Sequence, residues 1–411
     1  MSNYFKKYKY VYGFVIPMLI TEVIWLVDIF SKGMNSQQID LFFLRFNDYF
    51  ADFFNVVGYS GKLDPYHNTV YTGLGEKAYP PLTYVLLYLF SRLIDIDAYY
   101  ENGFFLTMIN EKLLFIMFLF ITIGILLLLF EIIRNNLKFS RFTNITIAFL
   151  LLYSRPILFS FERGNTIIAA MMFVLIYLMN YDNENKFCRE IAFLSLALAA
   201  ALKITPVALG VLLLFEKRWK DAIRTIFYGL AAFFIPFFFL NGGKRANITQ
   251  MITNIQLNLE LYPSNQGITF EACLRNLDRI INNEIILSWI KMIVFGVLLY
   301  GVIFSSKKWL RVMLISLILV MAPSHSGDYC MLYMIPSYIL FLNDMDHKSS
   351  DWLILIGIIL TLQPIQTIIT TQLISLGLLL ICLILFIYNM VIFFSRQIKK
   401  HQIASPYKSL F

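Results

Sequence analysis

Charged residues are scarce in this sequence, and their scarcity restricts the class of protein. Asp, Glu, Lys and Arg make up 15% of the 411 residues, while 59% are hydrophobic. Soluble globular proteins carry about 25% charged residues. A chain this apolar lacks the polar side chains to cover its own surface in water, so lipid must solvate much of it. The composition therefore predicts an all-α polytopic membrane protein.

Cysteine is also rare and follows no metal-binding or disulfide pattern. The four cysteines form no Cys-x-x-Cys pair and no zinc spacing, and they are Cys188, Cys273, Cys330 and Cys382. The sequence has no Gly-rich phosphate loop after a strand and no zinc-protease motif. We therefore expect no disulfide framework, no metal and no cofactor.

The net charge of +8 is what the positive-inside rule produces when Lys and Arg collect on cytoplasmic loops. A nucleic-acid partner would need a basic patch on a soluble face, and the sequence offers none. Lys6, Lys7 and Lys9 precede the first apolar run, which is too long for a cleaved signal peptide and is expected to stay as the first span.

A spanning helix needs about 20 mostly apolar residues. Runs of this kind predict about 12 transmembrane helices, at 10–30, 79–95, 112–132, 142–160, 165–181, 190–215, 222–240, 285–304, 309–323, 329–343, 351–371 and 374–395. The tail carries Arg396, Lys399 and Lys400. An even number of spans would leave both termini in the cytoplasm of a multi-pass cell-membrane protein.

One part of this topology is inconsistent with simple alternation. The basic clusters around Arg134–Arg141, Lys186–Arg189 and Lys217–Lys220 all look cytoplasmic, yet alternating spans cannot place all three on one side. The run 190–215 is therefore also read as two short helices that turn near Lys203 and Pro206. Broken helices are tolerated in membranes where they line a cavity.

Two long polar stretches, 31–78 and 241–284, are expected to be loops on the outer face of a single membrane domain, 1–411. The Phe-rich run from Leu41 to Val57 is interrupted by Arg45, Asp48 and Asp52. That pattern is typical of an amphipathic helix lying in the membrane interface.

Ionisable residues near membrane depth are candidates for function. The first loop contains Asp40, Asp48, Asp52 and Asp64, each of which is also explained as a solvated surface charge. Tyr66 follows, and then Tyr79-Pro80-Pro81, which is equally a plain helix start. Further candidates are Arg163 and Asn165 in a polar turn, Lys203 in an apolar run, Asn265 and Gln266, Arg275, and His325 in a loop.

In this order, these features resemble the membrane glycosyltransferases of the C-type fold, and in particular glycosyltransferase family 87. That family contains polyprenyl-phosphate-mannose-dependent mannosyltransferases of the mycobacterial phosphatidylinositol-mannoside type. Asp48 lies eighteen residues before Tyr66, as the family's acidic residue lies before its Pro-Tyr segment, and Tyr79-Pro80-Pro81 matches the family's Tyr-Pro-Pro.

The later family motifs match less completely. Arg163-Gly164-Asn165 corresponds to a Gly-Gln-x-Asn motif without its Gln, and Lys203-Ile204-Thr205-Pro206 matches a Lys-x-x-Pro stretch. Asn265-Gln266-Gly267 with Arg275 corresponds to Asn-Gln-Ser followed by Arg, with Gly in place of Ser. His325 falls in the closing loop, at an offset from the family's histidine.

The resemblance implies transfer of a hexose, with mannose the family's usual sugar, from a polyprenyl-phosphate donor to a glycolipid or cell-envelope glycan on the outer face. It implies a single inverting displacement in which Asp48, or Asp52 as the backup, removes the acceptor proton. Lys203, Arg163, Arg275 and His325 would hold the donor phosphate. Tyr66, Tyr79, Asn165, Asn265 and Gln266 would bind substrate.

Two other classes of protein remain as alternatives. A transporter or lipid-linked oligosaccharide flippase is also polytopic, although transporters usually show two related halves with charges at the midplane, and no halves are visible here. An oligosaccharide polymerase or ligase shares the long outer loops but would use a lipid-diphosphate glycan as donor.

Overall fold

The computed structural model describes residues 2–38, 49–261, 267–277, 284–367 and 369–404. The described chain is helical and contains no strand. Its α-helices are α1 Ser2–Lys32, α2 Ala51–Ser60, α3 Pro81–Ser91, α4 Ile96–Asn102, α5 Lys112–Asn136, α6 Arg141–Leu152, α7 Arg155–Arg163, α8 Ile167–Asn180, α9 Lys186–Leu202, α10 Val211–Phe215, α11 Trp219–Phe234, α12 Lys244–Leu261, α13 Phe270–Asn276, α14 Glu284–Phe304, α15 Lys308–Met321, α16 Ile335–Asn343, α17 Asp351–Leu362 and α18 Thr370–Ala404.

Short 3-10 helices connect or extend several of these α-helices. They are Gly33–Asn35, Leu74–Glu76, Phe105–Asn110, Thr205–Gly210, Ile235–Phe239 and Asp328–Met334.

Several helices are long and apolar enough to cross a membrane, as the composition predicts. In the described chain there are 5 of them: Tyr8–Lys32, Lys112–Asn136, Trp219–Phe239, Ile285–Phe304 and Thr370–Arg396. The pair α6 and α7, bent by 49°, would make a sixth. By this criterion the expected number of about 12 spanning helices is not reached, because the remaining apolar runs form shorter helices.

The run at 79–95 is one of the shorter helices. Only residues 81–91 are helical in α3, and 11 residues at about 1.5 Å each cover far less than the roughly 30 Å of a bilayer core. The following helix α4 returns to the first loop, since Asn68 Nδ2 bonds the Tyr100 hydroxyl at 3.0 Å. This run therefore does not behave as the full span that its hydropathy predicts.

The run at 190–215 breaks where the sequence suggested. Helix α9 ends at Leu202, Lys203 is extended with φ −145° and ψ 123°, and a 3-10 helix starts at Thr205. Pro206 lies in the first turn of that 3-10 helix, where its missing N–H costs nothing.

The basic clusters meet at one end of the helix bundle, which we call the basic end. Asn343 contacts both sides of the α5–α6 turn, because its Nδ2 donates to the Asn136 carbonyl at 2.7 Å and its Oδ1 accepts from the Lys138 N–H at 2.9 Å. Lys308 pairs with Asp182 at 2.8 Å, and Arg311 with Glu216 at 3.3 Å. Since Lys203 lies at the opposite end, the reversal at Lys203 brings all three clusters together.

The structure describes only part of the run 41–57, over which an interfacial helix is expected. Residues 41–48 lie outside the described part of the chain. The remainder belongs to α2, of whose ten residues eight are buried. Phe53 packs against Phe118 and Phe90 at ring-centroid distances of 4.4 and 5.1 Å. These aromatic contacts pack α2 against α3 and α5.

Close packing of α17 against α18 depends on two glycines that face each other. A Cβ atom on Gly377 would lie 2.8 Å from the Gly357 carbonyl oxygen, and one on Gly357 would lie 2.8 Å from the Gly377 carbonyl oxygen. Small residues at helix contacts let backbones approach, which is a main source of association between helices in lipid.

We expect Gly377→Ala to destabilise the protein by about 1–3 kcal/mol, because the added methyl group overpacks a backbone contact. Thermal unfolding in detergent measures the change. Gly296→Ala is the matched control, since nothing lies within 4 Å of a Cβ at Gly296. Equal melting temperatures for the two variants would contradict the packing described here.

Candidate active site

A carboxylate in the first turn of α2 is fixed by two side chains from the α7–α8 turn. Arg163 Nη2 donates to Asp52 Oδ1 at 2.8 Å, and Asn165 Nδ2 donates to Asp52 Oδ2 at 2.6 Å. Both charged side chains are about one-fifth exposed, at 20% for Asp52 and 21% for Arg163. The sequence candidates Asp52, Arg163 and Asn165 thus form one polar centre.

The chain geometry of the α7–α8 turn explains why these groups meet. Gly164 has φ +63°, and a Cβ there would lie 2.8 Å from the Phe53 Cβ. Only glycine adopts this conformation without strain and also leaves room for α2. The Phe50 N–H donates to the Glu162 carbonyl at 2.9 Å, which ties the start of α2 to the same turn.

Asn165 is held in place from both ends of its amide. Its Oδ1 accepts the N–H of Ile167 at 3.0 Å, while its Nδ2 donates to Asp52. The residue is 3% exposed. Asn165 therefore links the first turn of α8 rigidly to the Asp52 carboxylate.

Lys203 supplies a second cation at the same end of the bundle. Its ammonium lies 4.1 Å from the ring centroid of Tyr79 and 5.8 Å from that of Tyr329, where the ring faces stabilise a cation. Thr83 Oγ1 donates to the Leu202 carbonyl at 2.9 Å, which fixes the end of α9 against α3. The Asp52 carboxylate acts electrostatically on both Lys203 and Tyr79.

Tyr79 lies beside Lys203, whereas Tyr66 is buried behind Tyr79. Tyr66 is 0% exposed, and its hydroxyl donates to the Tyr79 carbonyl at 2.9 Å. The Tyr66 carbonyl in turn accepts from Asn254 Nδ2 at 2.9 Å. Tyr66 therefore supports the segment that carries Tyr79, and Tyr79 is the one beside Lys203.

Arg155 is a buried cation that the hydropathy pattern concealed. It is 6% exposed, and its Nη2 and Nε donate to Asp328 Oδ2 at 3.1 and 3.2 Å. Its Nη1 donates to Gln366 Oε1 at 2.6 Å. The sequence feature that could have identified Arg155 is its place inside the predicted span 142–160, because a charge at membrane depth marks a functional or structural site.

The Arg155–Asp328 pair fixes the start of the segment that presents Tyr329. One residue further along, the Tyr329 ring stacks on Phe159 at 6.2 Å with an interplanar angle of 7°. Arg155 and Phe159 both belong to α7, which also carries Arg163. Helix α7 therefore positions both the Asp52 centre and the tyrosine that faces Lys203.

The loop with His325 is attached to the second long stretch, 241–284, at Gly267 and Ile268. The Ile268 N–H donates to the Ser326 carbonyl at 2.9 Å. Gly267 has φ +78°, and a Cβ there would nearly overlap the Ser326 oxygen. A residue with a side chain therefore does not fit at this position without a shift of the backbone.

His325 and Arg275 lie on segments other than those that carry Asp52, Arg163 and Asn165. Burial lowers the pKa of His325, and the nearby Glu76 carboxylate opposes that shift, so His325 lies towards the Leu74–Glu76 helix. Arg275 lies in the last turn of α13, which packs against α14 and α18.

Four candidate residues lie outside the described residues: Asp40, Asp48, Asn265 and Gln266. Within the described ranges, no group of three or more His, Cys, Asp and Glu side chains could hold a metal ion. All four cysteines are free thiols.

The architecture and the site together define a helical membrane protein with a carboxylate and several cations gathered at one end. The model of glycosyltransferase family 87 matches residues 78–323, more than half of the 411 residues. The chain therefore belongs to glycosyltransferase family 87 and is a glycosyltransferase. Neither the curated proteins nor the solved structures contain a significant match to it.

The family match covers part of the site. Tyr79, Arg163, Asn165 and Lys203 lie inside the matched range 78–323. Asp52 and His325 lie outside it, so the contacts of Asp52 with Arg163 and Asn165 connect it to the matched region.

A double-mutant cycle of Asp52→Asn and Arg163→Gln should give a coupling free energy of about 1–3 kcal/mol, because both partners are mostly withdrawn from solvent. Unfolding of the purified variants in detergent measures it. Arg134→Gln with Glu131→Gln is the control pair, since these residues form an exposed i,i+3 bridge of the kind that contributes little. Additive effects at Asp52 and Arg163 would refute the coupling.

Proposed function

We propose that this glycosyltransferase transfers a hexose, and specifically mannose, from a polyprenyl-phosphate sugar to a glycolipid or cell-envelope glycan on the outer face of the membrane, with inversion at the anomeric carbon. The observation that carries the proposal is the convergence of the Asp52 carboxylate, Arg163 and Lys203 at one end of the bundle. Such a centre offers cations for a departing phosphate, beside the chain segment whose acidic residues, Asp48 and Asp52, are the candidates for the base that takes the proton of an alcohol.

Lys203 is the residue that we assign to the donor phosphate. Arg163 already donates a hydrogen bond to Asp52. The Lys203 ammonium instead lies over the ring faces of Tyr79 and Tyr329, so its N–H groups can donate hydrogen bonds to a phosphate. Arg275 and His325 are proposed as outer contributors to phosphate binding, and Tyr79 as a sugar contact.

An apolar groove beside Lys203 supports a lipid-linked donor. The groove has a volume of about 380 Å³ and is lined by α9, by the segment after Lys203 and by α11; Ile204, the next residue after Lys203, is part of its wall. A polyprenyl chain in this groove would place its phosphate beside the Lys203 ammonium.

In the proposed reaction the acceptor hydroxyl attacks the anomeric carbon as the bond from that carbon to the phosphate oxygen breaks. The acceptor proton passes to a carboxylate, and the electron pair leaves with the polyprenyl phosphate. We assign Asp48 as this base. Both carboxylate oxygens of Asp52 already accept hydrogen bonds. Asp52 is therefore assigned as the residue that holds Arg163 and Asn165 in place, and it is the alternative candidate for the base.

The proposal includes an even number of passes with both termini in the cytoplasm. In this arrangement α9 leads from the basic end to Lys203, and the shorter segment from Thr205 to Phe215 leads back to that end. The gathering of basic segments at one end supports a cytoplasmic assignment for that end, which leaves Asp52 and Lys203 extracytoplasmic.

We expect Lys203→Met to reduce transfer from polyprenyl-phosphate mannose by about 100-fold or more, because one charge-stabilising donor is lost. Lys203→Arg should retain part of the activity, since it keeps the charge with different geometry. Initial rates in proteoliposomes measure both. Lys186→Met, an exposed lysine at the basic end, is the control and should match the wild type.

We expect Asp48→Asn to abolish transfer while donor binding persists, because the amide cannot take the acceptor proton. Asp52→Asn should lower both the melting temperature and the rate, because it removes the ion pair with Arg163. Donor binding, melting temperature and turnover of the purified variants separate the two roles. Near-normal turnover by Asp48→Asn would end its assignment as the base, and loss of turnover in Asp52→Asn at unchanged stability would transfer that role to Asp52.

A further inference from the structure

Helix α12 packs on the first long stretch through asparagine side chains. Asn254 Nδ2 donates to two backbone carbonyls, that of Tyr66 at 2.9 Å and that of Lys77 at 3.1 Å. Asn258, one turn further along α12, donates from its Nδ2 to the Gly75 carbonyl at 3.0 Å. Asn254 is fully buried, where a carbonyl that loses its donor cannot turn to water instead. These bonds therefore fix the first long stretch on α12.

The hydrogen bonds of Asn254 and Tyr66 hold the backbone at Tyr79 and just before it. Asn254 binds the Lys77 carbonyl directly. Asn254 also binds the Tyr66 carbonyl, and the Tyr66 hydroxyl donates to the Tyr79 carbonyl at 2.9 Å. Tyr66 is itself fully buried and packs edge-on against Tyr84, with ring centroids 5.3 Å apart. Asn254 therefore fixes the short segment that ends at Tyr79, partly by itself and partly through Tyr66.

Lys77 is a fully buried lysine to which the proposed reaction assigns no role. Its Nζ donates to Thr72 Oγ1 at 2.9 Å and to the Gly73 carbonyl at 3.1 Å, and it also bonds the Thr72 carbonyl. The ammonium lies 4.4 Å from the ring centroid of Tyr59. A buried charge is stable only when such partners replace its hydration, so Lys77 holds its own turn in one shape. That turn presents the Lys77 carbonyl to α12.

Contact between this turn and α12 requires a glycine at position 75. A Cβ atom on Gly75 would lie 2.6 Å from Leu261 Cδ1 and 3.1 Å from the Asn258 backbone nitrogen. Gly73 belongs to the same turn, but nothing lies within 4 Å of a Cβ atom there. A side chain at position 75 would therefore push the turn away from α12, whereas one at position 73 would leave the contact intact.

The position of the Tyr79 backbone matters because the Tyr79 ring lies over the Lys203 ammonium, with its centroid 4.1 Å away. A cation is attracted to a ring face only within about 6 Å of the centroid. Lys203 directly follows α9, so it does not move with the segment that carries Tyr79. A displacement of that segment would therefore carry the ring away from the ammonium.

We propose that Asn254 is a positioning residue for Tyr79: by docking α12 on the first long stretch, it holds the Tyr79 ring over the Lys203 ammonium. The inference rests on the proposed function, in which Lys203 binds the donor phosphate and Tyr79 contacts the sugar. It adds the second long stretch to the parts of the chain on which donor binding depends. Asn254 acts through the backbone and needs no contact of its own with either substrate.

Chemical labelling of Lys203 tests this inference without turnover. Asn254→Leu removes both amide donors at similar volume, and Gly75→Val separates the turn from α12 without changing Asn254. In the full-length protein in nanodiscs, acetic anhydride should acetylate Lys203 about threefold faster in both variants, because the ring no longer covers and stabilises the ammonium. Tyr79→Leu, which removes the ring itself, should show the same increase. Mass spectrometry of the peptide that contains Lys203 measures the rate.

Two controls separate positioning from general damage to the fold. Gln256→Leu changes an exposed amide on α12, and Gly73→Val adds a side chain where there is space. Both should leave the labelling of Lys203 at the wild-type rate. The rate at Lys308, an ion-paired lysine at the basic end, corrects for global unfolding. Faster labelling in Tyr79→Leu alone would overturn the inference, because the ring would then stay in place without the docking of α12.

Protection of Lys203 by the donor links the same assay to function. The concentration of polyprenyl-phosphate mannose that halves the labelling rate should rise about tenfold in Asn254→Leu, because buried hydrogen bonds are lost. In a Tyr79→Leu background, Asn254→Leu should add little, because the residue through which it acts is absent. Additive losses of donor affinity would overturn the inference. A wild-type protein that the donor does not protect, with faster labelling still seen in Asn254→Leu, would reject the proposed donor site and retain the positioning of Tyr79.

Discussion

The contact of Asp52 with Arg163 and Asn165 is the interaction on which the rest of the site depends. It joins α2, which lies within the first long loop, to the turn between α7 and α8. Gly164 leaves room for α2 to pack against this turn. The backbone hydrogen bond from Phe50 to Glu162 fixes the start of α2 relative to the turn. A pair of charges withdrawn from solvent is costly to leave unsatisfied, so this contact holds the loop on the bundle.

Breaks in helices, rather than the long helices, build the functional end of the molecule. The α7–α8 turn carries Arg163 and Asn165, and the end of α9 carries Lys203. Each break contributes a polar side chain to the same centre. Irregular backbone of this kind is tolerated in membrane proteins only where protein or a polar cavity surrounds it. The long apolar helices α1, α5, α11, α14 and α18 carry none of these polar side chains.

Much of this was accessible from the sequence, because membrane helices follow hydropathy closely. The apolar runs match helices, and the turn at Lys203 and Pro206 was visible from a lysine beside a proline in an apolar segment. The shortness of α3 was not visible, because hydropathy measures apolar character and not where a helix ends. Arg155 was concealed by its apolar neighbours, and the pairing of Asp52 with Arg163 depends on a distant turn that no local pattern encodes.

The central claim is that a lipid phosphate and an acceptor alcohol meet between Lys203 and the carboxylate side of the centre. The most direct measurement is a cryo-EM structure of the full-length protein in nanodiscs with polyprenyl phosphate bound. We predict phosphate density within hydrogen-bonding distance of the Lys203 ammonium, with the prenyl chain in the groove between α9 and α11. Phosphate density at the basic end, or beside Asp52 with Lys203 making no contact, would contradict the account.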